Sequence, residues 1–290
     1  MQIGLQIPDF TTPAGPAQLA TDLARVARGA DEAGFHYLAV MDHFFQIQAL
    51  GPPEREMLEA YTTLGFLAAH TSRIELLTVM TGVLYRYPGL LAKTVTTLDV
   101  LSGGRAWLGI GAGWNEEESR GLGVPFPPLA DRFEQLEEAL RIYLQMGSGD
   151  ETPFDGKHYQ LQRPLNSPRS IRRPYPPIMI GGGGEKKTLR LVAKYADACN
   201  LFAAPDLGRK LDVLREHCVR EGREYDEIRK TVYYTLDVGA KGERVDQVLA
   251  DLRGLADLGF QAAIGGIPDV YDMTALEVIG ERVIPEVAAW

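Results

Sequence analysis

The sharpest chemical signal in the chain is the adjacent pair Asp42 and His43, at the end of the apolar run Tyr37–Met41. Histidine titrates near neutral pH and can give or take a proton during turnover. Adjacent strand residues point to opposite sides, so the two have separate jobs. The competing structural reading satisfies His43 with a neighbouring backbone group and uses Asp42 to cap a turn. A second signal is the run Gly181–Gly184, which follows Pro177-Ile178-Met179-Ile180 and precedes a helical pattern from Glu185. Glycine lets the backbone approach a ligand, and free N–H groups at a helix start attract an anion, with Lys186, Lys187 and Arg190 nearby. A flexible turn is the alternative. The run Gly109-Ile110-Gly111-Ala112-Gly113 is a poor dinucleotide fingerprint, because the acid about 20 residues on is Glu134, inside an amphipathic stretch. It reads instead as room for a flat ring. Asn115 followed by Glu116, Glu117 and Glu118 reads first as an N-cap with acids in the first turn, and second as a source of a catalytic acid. Arg163, Arg169, Arg172 and Arg173 crowd a proline-rich connection and are either a solvated loop or a clamp for a polyanionic tail.

These residues need a scaffold, and the hydrophobic pattern supplies one. Strand-length apolar runs lie at Gln2–Ile7, Tyr37–Met41, Ile74–Met80, Ala106–Gly111, Pro177–Gly181, Ala198–Phe202, Lys230–Val238 and Gln261–Gly265. Helical periodicity follows each, at Ala17–Ala33, Leu58–His70, Gly89–Leu101, Arg132–Met146, Glu185–Ala196, Leu207–Glu221, Arg244–Leu258 and Thr274–Val287. Eight strand–helix units predict an α/β protein with a (β/α)8 TIM-barrel fold, residues 1–290 forming one domain. A doubly wound open sheet is the alternative, disfavoured because Pro8-Asp9-Phe10-Thr11-Thr12 carries no glycine fingerprint. In such barrels the chemistry sits at the C-terminal ends of the strands, where Asp42-His43 and both glycine runs fall. Two connections are long, Trp114–Ala130 and Gly147–Pro176, and the second is read as an insertion or lid at 147–176.

The net charge of -9 repels a phosphate backbone at long range, so nucleic acid is not expected as a partner. Cys199 and Cys218 show no metal-ligand spacing and are read as reduced thiols of a cytoplasmic protein. No run of 18 uninterrupted apolar residues predicts a membrane span.

Tyr85-Arg86-Tyr87-Pro88 with Ala92-Lys93-Thr94, Leu98-Asp99-Val100-Leu101-Ser102-Gly103-Gly104-Arg105, Gly109–Trp114 and Met41-Asp42-His43 together resemble the luciferase-like monooxygenase superfamily, most of all its branch using the deazaflavin coenzyme F420. The resemblance covers nearly the whole chain. It implies an oxidoreductase that transfers a hydride between F420 and a small organic substrate, with an FMN-dependent monooxygenase or a non-catalytic flavin-binding protein as alternatives. It implies His43 as the catalytic proton donor or acceptor and Asp42 as a contact to the cofactor ring. A non-proline cis peptide at Thr78-Val79 is expected to form a bulge backing that ring. Thr81, Gly113 and Asn115 are implied as further cofactor contacts, Gly183 and Gly184 as the phosphate loop, and a homodimer as the assembly. One departure is visible. The sugar-phosphate dehydrogenases of the family carry a catalytic glutamate just after the fourth strand, where this chain has Trp114, which points to an apolar substrate.

Overall fold

The computed structural model describes residues 1–290. Its elements are β1 (Gln2–Ile7), α1 (Pro16–Ala33), β2 (Tyr37–Val40), α2 (Ala60–Ala68), β3 (Glu75–Thr78), β4 (Thr81–Gly82), α3 (Pro88–Ser102), β5 (Leu108–Gly111), α4 (Glu116–Gly121) and α5 (Leu129–Ser148). Then follow β6 (Phe154–Asp155), β7 (Gln160–Leu161), β8 (Ile178–Gly181), α6 (Thr188–Tyr195), β9 (Ala198–Phe202), α7 (Leu207–Glu221), β10 (Arg229–Tyr233), α8 (Val245–Asp257), β11 (Ala262–Gly265), α9 (Thr274–Val278) and α10 (Ile284–Ala288). The main sheet is parallel and runs β3-β2-β1-β11-β10-β9-β8-β5-β4. Because β3 and β4 are successive pieces of one strand position, its two edges meet and the sheet closes as the expected eight-position barrel. The first and last strands pair, Gln2 opposite Ala262, so both ends of the chain complete the same barrel.

Closure depends on a local irregularity. Leu76 bridges Ala106 and Thr81 pairs with Ile110, so one strand spends five steps where the other spends four. The extra residue is a β-bulge. The non-proline cis bond there joins Val79 and Met80, one bond later than expected. Gly109 makes the seam possible: a Cβ on it would stand 1.9 Å from the Thr78 carbonyl oxygen.

The barrel is filled rather than hollow. Tyr37, Ala39, Leu77, Trp107, Met179, Ala198, Ala262 and Ile264 form an inner cluster, and a much larger apolar layer lies between strands and helices. At the N-terminal end the Trp107 indole donates to Glu75 (2.5 Å), Arg172 pairs with the same carboxylate, and Arg229 donates to the Tyr37 hydroxyl. Burial alone would raise Glu75, but His36 and Arg172 outweigh it and hold the carboxyl at about 2.

Two connections and the final helix depart from expectation. The helix expected from Leu58 starts at Ala60, leaving residues 41–59 as a third long loop over the C-terminal mouth. Residues 147–176 pack on the outer wall between α3 and α5. There Glu138 accepts the backbone N–H groups of Lys157, His158 and Tyr159, Asn166 donates to Thr96, and Asp99 accepts the N–H groups of Ile171 and Arg172. The arginine clamp is overturned by the same path. Arg163 pairs with Glu151 on the outer wall, while Arg169 donates to the carbonyls of Gly147 and Ser148 at the end of α5 and Arg172 reaches Glu75, both at the end of the barrel opposite the mouth. The final helix is interrupted by a π-helical turn, Ile279–Val283, because Pro285 has no N–H to continue the ladder. No helix is long and apolar enough to cross a membrane.

Asp31 ties α1 to the entry of β3, accepting from the backbone N–H groups of Ser72 (2.9 Å), Arg73 (3.0 Å) and Ile74 (2.7 Å). Burial pushes its carboxyl up, but these donors prevail and lower it below the ordinary value. A carboxyl depressed by folding contributes stability above its unfolded pKa of about 4, and that contribution is lost as pH falls through the folded value. Asp31→Ala should therefore cost about 3 kcal/mol at pH 7 by stranding buried N–H groups, and clearly less at pH 3. Urea titrations at both pH values check this; equal midpoints for both proteins at pH 7 would refute the tie.

Candidate active site

The C-terminal mouth collects the residues singled out above, on β2, the β3–β4 bulge, β5 and β8. His43 follows β2 and is mostly buried, its side chain 12% exposed. Its Nδ1 faces the Glu118 carboxylate at 3.1 and 3.3 Å, and its Nε2 has no protein partner. Glu118 is fully buried in α4 and also accepts from the backbone N–H groups of Phe44 (2.6 Å) and Phe45 (2.9 Å) and from the Tyr85 hydroxyl. Burial pushes the Glu118 carboxyl up, yet His43, the Phe45 N–H and Tyr85 outweigh it and keep it below the usual range.

Asp42 also lies just past the end of β2 and engages a different partner from His43. It is buried and forms a bidentate pair with Arg86 (2.6 and 3.0 Å). Arg86 also reaches Glu59 and lies 4.7 Å from the Tyr61 ring centroid. Burial pushes the Asp42 carboxyl upward and the guanidinium opposes the push. Both carboxylate oxygens are committed to Arg86, so Asp42 is an anchor for a cation at the mouth.

The bulge residues divide in the same way. The Thr78 and Thr81 hydroxyls are buried and bonded to each other (2.8 Å), Thr81 meets the Tyr61 hydroxyl (2.8 Å) and Thr78 donates to the Gly109 carbonyl (2.9 Å). They brace the bulge from behind. Val79 and Met80 are partly exposed on it, and the Gln6 side-chain amide donates to the Val79 carbonyl (3.0 Å). The Gln6 Oε1 is buried and has no donor. Asn115 caps α4, its side chain accepting from the Glu118 N–H (3.3 Å). Gly113 has φ of 74°, and its carbonyl is held by Arg132.

Gly181–Gly184 leave β8 as expected, but α6 begins at Thr188, after a turn through Glu185–Lys187. Gly182 has φ of 113°, a conformation that favours glycine. Arg190 is spent on Glu137 (2.8 Å) and does not face the loop. The cation that does is Lys210 of α7, whose Nζ lies 3.1 Å from the Gly183 carbonyl and 2.9 Å from Asp206. Large aromatic surface also faces out here. Trp114, 63% exposed, stands 5.3 Å from the His43 ring at 66°, and Phe202, 69% exposed, lies 5.6 Å from the Tyr233 ring.

Tyr85, Arg86, Lys210 and Gln6 are not marked as site residues by the sequence, and Glu118 enters only among the acids after Asn115 whose second reading is a catalytic acid. Only Glu118 carried a usable signal, and it misdirects. Asn115-x-x-Glu118 has the form of a capping box, in which the glutamate would turn back to its own helix start. Here the helix is capped by Asn115 alone, and Glu118 turns into the mouth.

A closed parallel barrel with a histidine–carboxylate pair and a glycine loop at its C-terminal mouth is the arrangement of a (β/α)8 enzyme. Residues 1–272 match the luciferase-like monooxygenase family model, and the chain belongs to that family. It is similar to the F420-dependent glucose-6-phosphate dehydrogenase of Kineococcus radiotolerans, 32% identical over 83% of this chain and 70% of the relative. Its fold is that of the coenzyme F420-dependent tetrahydromethanopterin reductase of Methanopyrus kandleri, with a TM-score of 0.79 at 19% identity over 98% and 99% of the two chains. The FMN-bound oxygenating component of 3,6-diketocamphane monooxygenase from Pseudomonas putida has the same fold, with a TM-score of 0.76 at 18% identity over 99% and 98% of the chains.

Asp42→Ala would leave Arg86 half-buried with Glu59 as its one carboxylate. Breaking such a pair typically costs about 3 kcal/mol or more, to be read as a lower denaturation midpoint. A loss under about 1 kcal/mol would show that Glu59 alone satisfies the guanidinium.

Proposed function

We propose that the protein is an oxidoreductase transferring a hydride between coenzyme F420 and a small, apolar organic substrate bearing a carbonyl, enone or imine group. The observation that carries the reading is His43: its Nε2 is free at the mouth while its Nδ1 is held by a buried carboxylate, beside a bulge able to back a flat ring. The residues suit such a cofactor. Gly109, Gly111 and Gly181 keep the strand ends free of side chains, and a Cβ on Gly111 would meet nothing closer than 3.6 Å, so packing alone does not demand glycine there. Gln6 offers a buried acceptor without a donor. Val79 and Met80 would back the ring, Asp42 would hold Arg86 against it, and Thr78, Thr81, Gly113 and Asn115 would maintain the surrounding frame. The backbone of Gly183 and Gly184, with Lys210, would take the phosphate.

Bound reduced F420 supplies a hydride and, with carbon where a flavin has N5, reacts poorly with dioxygen. The protein's task is position and proton management. His43 Nε2 gives the proton that balances hydride delivery to a carbonyl, or takes it in the reverse direction. Trp114 presents an apolar face beside that atom. The nearby Arg120 is paired with Glu116 (2.7 Å), and Arg132 donates to the Gly113 carbonyl. The named relative supports F420. The FMN-bound neighbour keeps an FMN-dependent monooxygenase as the second reading.

Titration with F420 and with FMN decides between them. F420 should bind more tightly, its reduced complex should persist in air, and a carbonyl or enone substrate should discharge it. Preference for FMN with rapid oxygen consumption would establish the second reading. His43→Ala should lose about 10²–10⁴-fold in turnover while cofactor affinity stays within a few-fold. Normal turnover in that variant would remove His43 as the acid/base. Gly184→Val, whose side chain would crowd Thr188, should weaken cofactor binding without unfolding the protein.

A further inference from the structure

We propose that Glu118 is the positioning residue of the site: it fixes His43 as the Nδ1–H tautomer and so presents the Nε2 lone pair at the mouth. The catalytic consequence rests on the reading of His43 above; the tautomer assignment does not.

The argument is a count of donors. An ionised carboxylate only accepts hydrogen bonds. Glu118 Oε2 takes the backbone N–H groups of Phe44 and Phe45, and Oε1 takes the Tyr85 hydroxyl and faces His43 Nδ1. Glu118 is fully buried and His43 mostly so, so an acceptor facing an acceptor would cost both groups their partner. His43 Nδ1 must therefore carry a proton whenever Glu118 is ionised. A neutral histidine side chain in water prefers the opposite, Nε2–H tautomer, so the protein imposes this one. The same contacts orient the ring, because the Phe44 and Phe45 N–H groups anchor the chain just after His43 to the carboxylate that holds its side chain. Trp114 closes the other side of the ring at 5.3 Å. Nε2 is left without a protein partner.

A purely structural role for Glu118 predicts something different from a tautomer-setting role. Glutamine has nearly the same shape. In Glu118→Gln the amide oxygen can still take both backbone N–H groups, so the loop stays attached. The amide NH₂ then faces Tyr85, whose hydroxyl can rotate to accept, and His43 Nδ1, which can accept only as the Nε2–H tautomer. The substitution should keep the loop and reverse the imidazole.

Side-chain ¹⁵N chemical shifts of His43 in the cofactor-free protein read the tautomer directly, above the pH at which the ring is protonated. The wild type should show Nδ1–H; finding Nε2–H there would overturn the assignment without any variant. Glu118→Gln should show Nε2–H, with the Phe44 and Phe45 amides still protected from hydrogen exchange. Retention of Nδ1–H in that variant would mean that something other than Glu118 sets the ring. Tyr85→Phe removes a donor but keeps the carboxylate, so Nδ1–H should persist; a reversal there would point to general loosening and would overturn the proposal. In the substrate-oxidising direction, where His43 Nε2 takes the proton, Glu118→Gln should lower kcat by about 10²–10⁴-fold with KM within a few-fold, since a neutral His43 would present a proton where a lone pair is needed. Unchanged kcat despite a reversed ring would refute the positioning role, whereas a wild type inactive with F420 would refute only the proposed function.

Discussion

The site rests on a seam where two strands approach more closely than side chains allow. At Gly109 the chain admits the Thr78 carbonyl into the volume a Cβ would occupy, 1.9 Å from where that atom would stand. That approach lets one strand carry an extra residue, Val79 and Met80 turn out into the mouth, and β4 continue the ladder to close the barrel. The bracing is layered. Thr78, Thr81 and Tyr61 link hydroxyls behind the bulge, and Gln6 holds the Val79 carbonyl from β1. The surface available to a flat ligand is thus a by-product of barrel closure, and it is held by buried polar groups instead of by loop conformation.

Around that seam the protein uses buried carboxylates as fasteners. Asp31 joins α1 to the start of β3, Glu75 closes the N-terminal end, Glu138 holds the wall hairpin, Asp42 holds Arg86 and Glu118 holds His43 with its loop. In each case one carboxylate takes several donors, which is what makes burial of a charged group tolerable. Both fasteners at the mouth join elements far apart in the chain. A loop of 19 residues (41–59) is thereby fixed at its first residues by α4 and at its last by the Glu59–Arg86 pair. Order at the mouth comes from cross-links between loops, and His43 sits at one of them.

Much of the scaffold was legible along the chain. Strands β1 and β9 and helix α7 match their expected limits, because alternating or 3.6-residue apolar patterns ended there in strong stop signals. The placement of Asp42, His43 and both glycine runs at strand ends followed from the barrel rule alone. Misreadings have physical causes. The start of α2 was placed too early because Leu58 continues the apolar period, although Glu59 supplies the cap. The arginines of 163–173 leave a solvated loop and a clamp both open in the sequence, because charge clustering is visible there and the path of a long connection is not.

Residue types and periodicity by themselves determined the barrel and the placement of Asp42, His43 and both glycine runs at its C-terminal end, since these depend on local hydrophobic order. The tertiary structure alone decided which groups act on one another. Glu118 lies 75 residues from His43, Arg86 lies 44 from Asp42, and Lys210 lies 27 from Gly183. A carboxylate's role is set by the donors that surround it, and those donors come from strands and helices that only closure of the barrel brings together. Asn115-x-x-Glu118 makes the point most directly, because the local pattern calls for a glutamate folded back on its own helix, and the buried N–H groups and imidazole across the mouth offer it more.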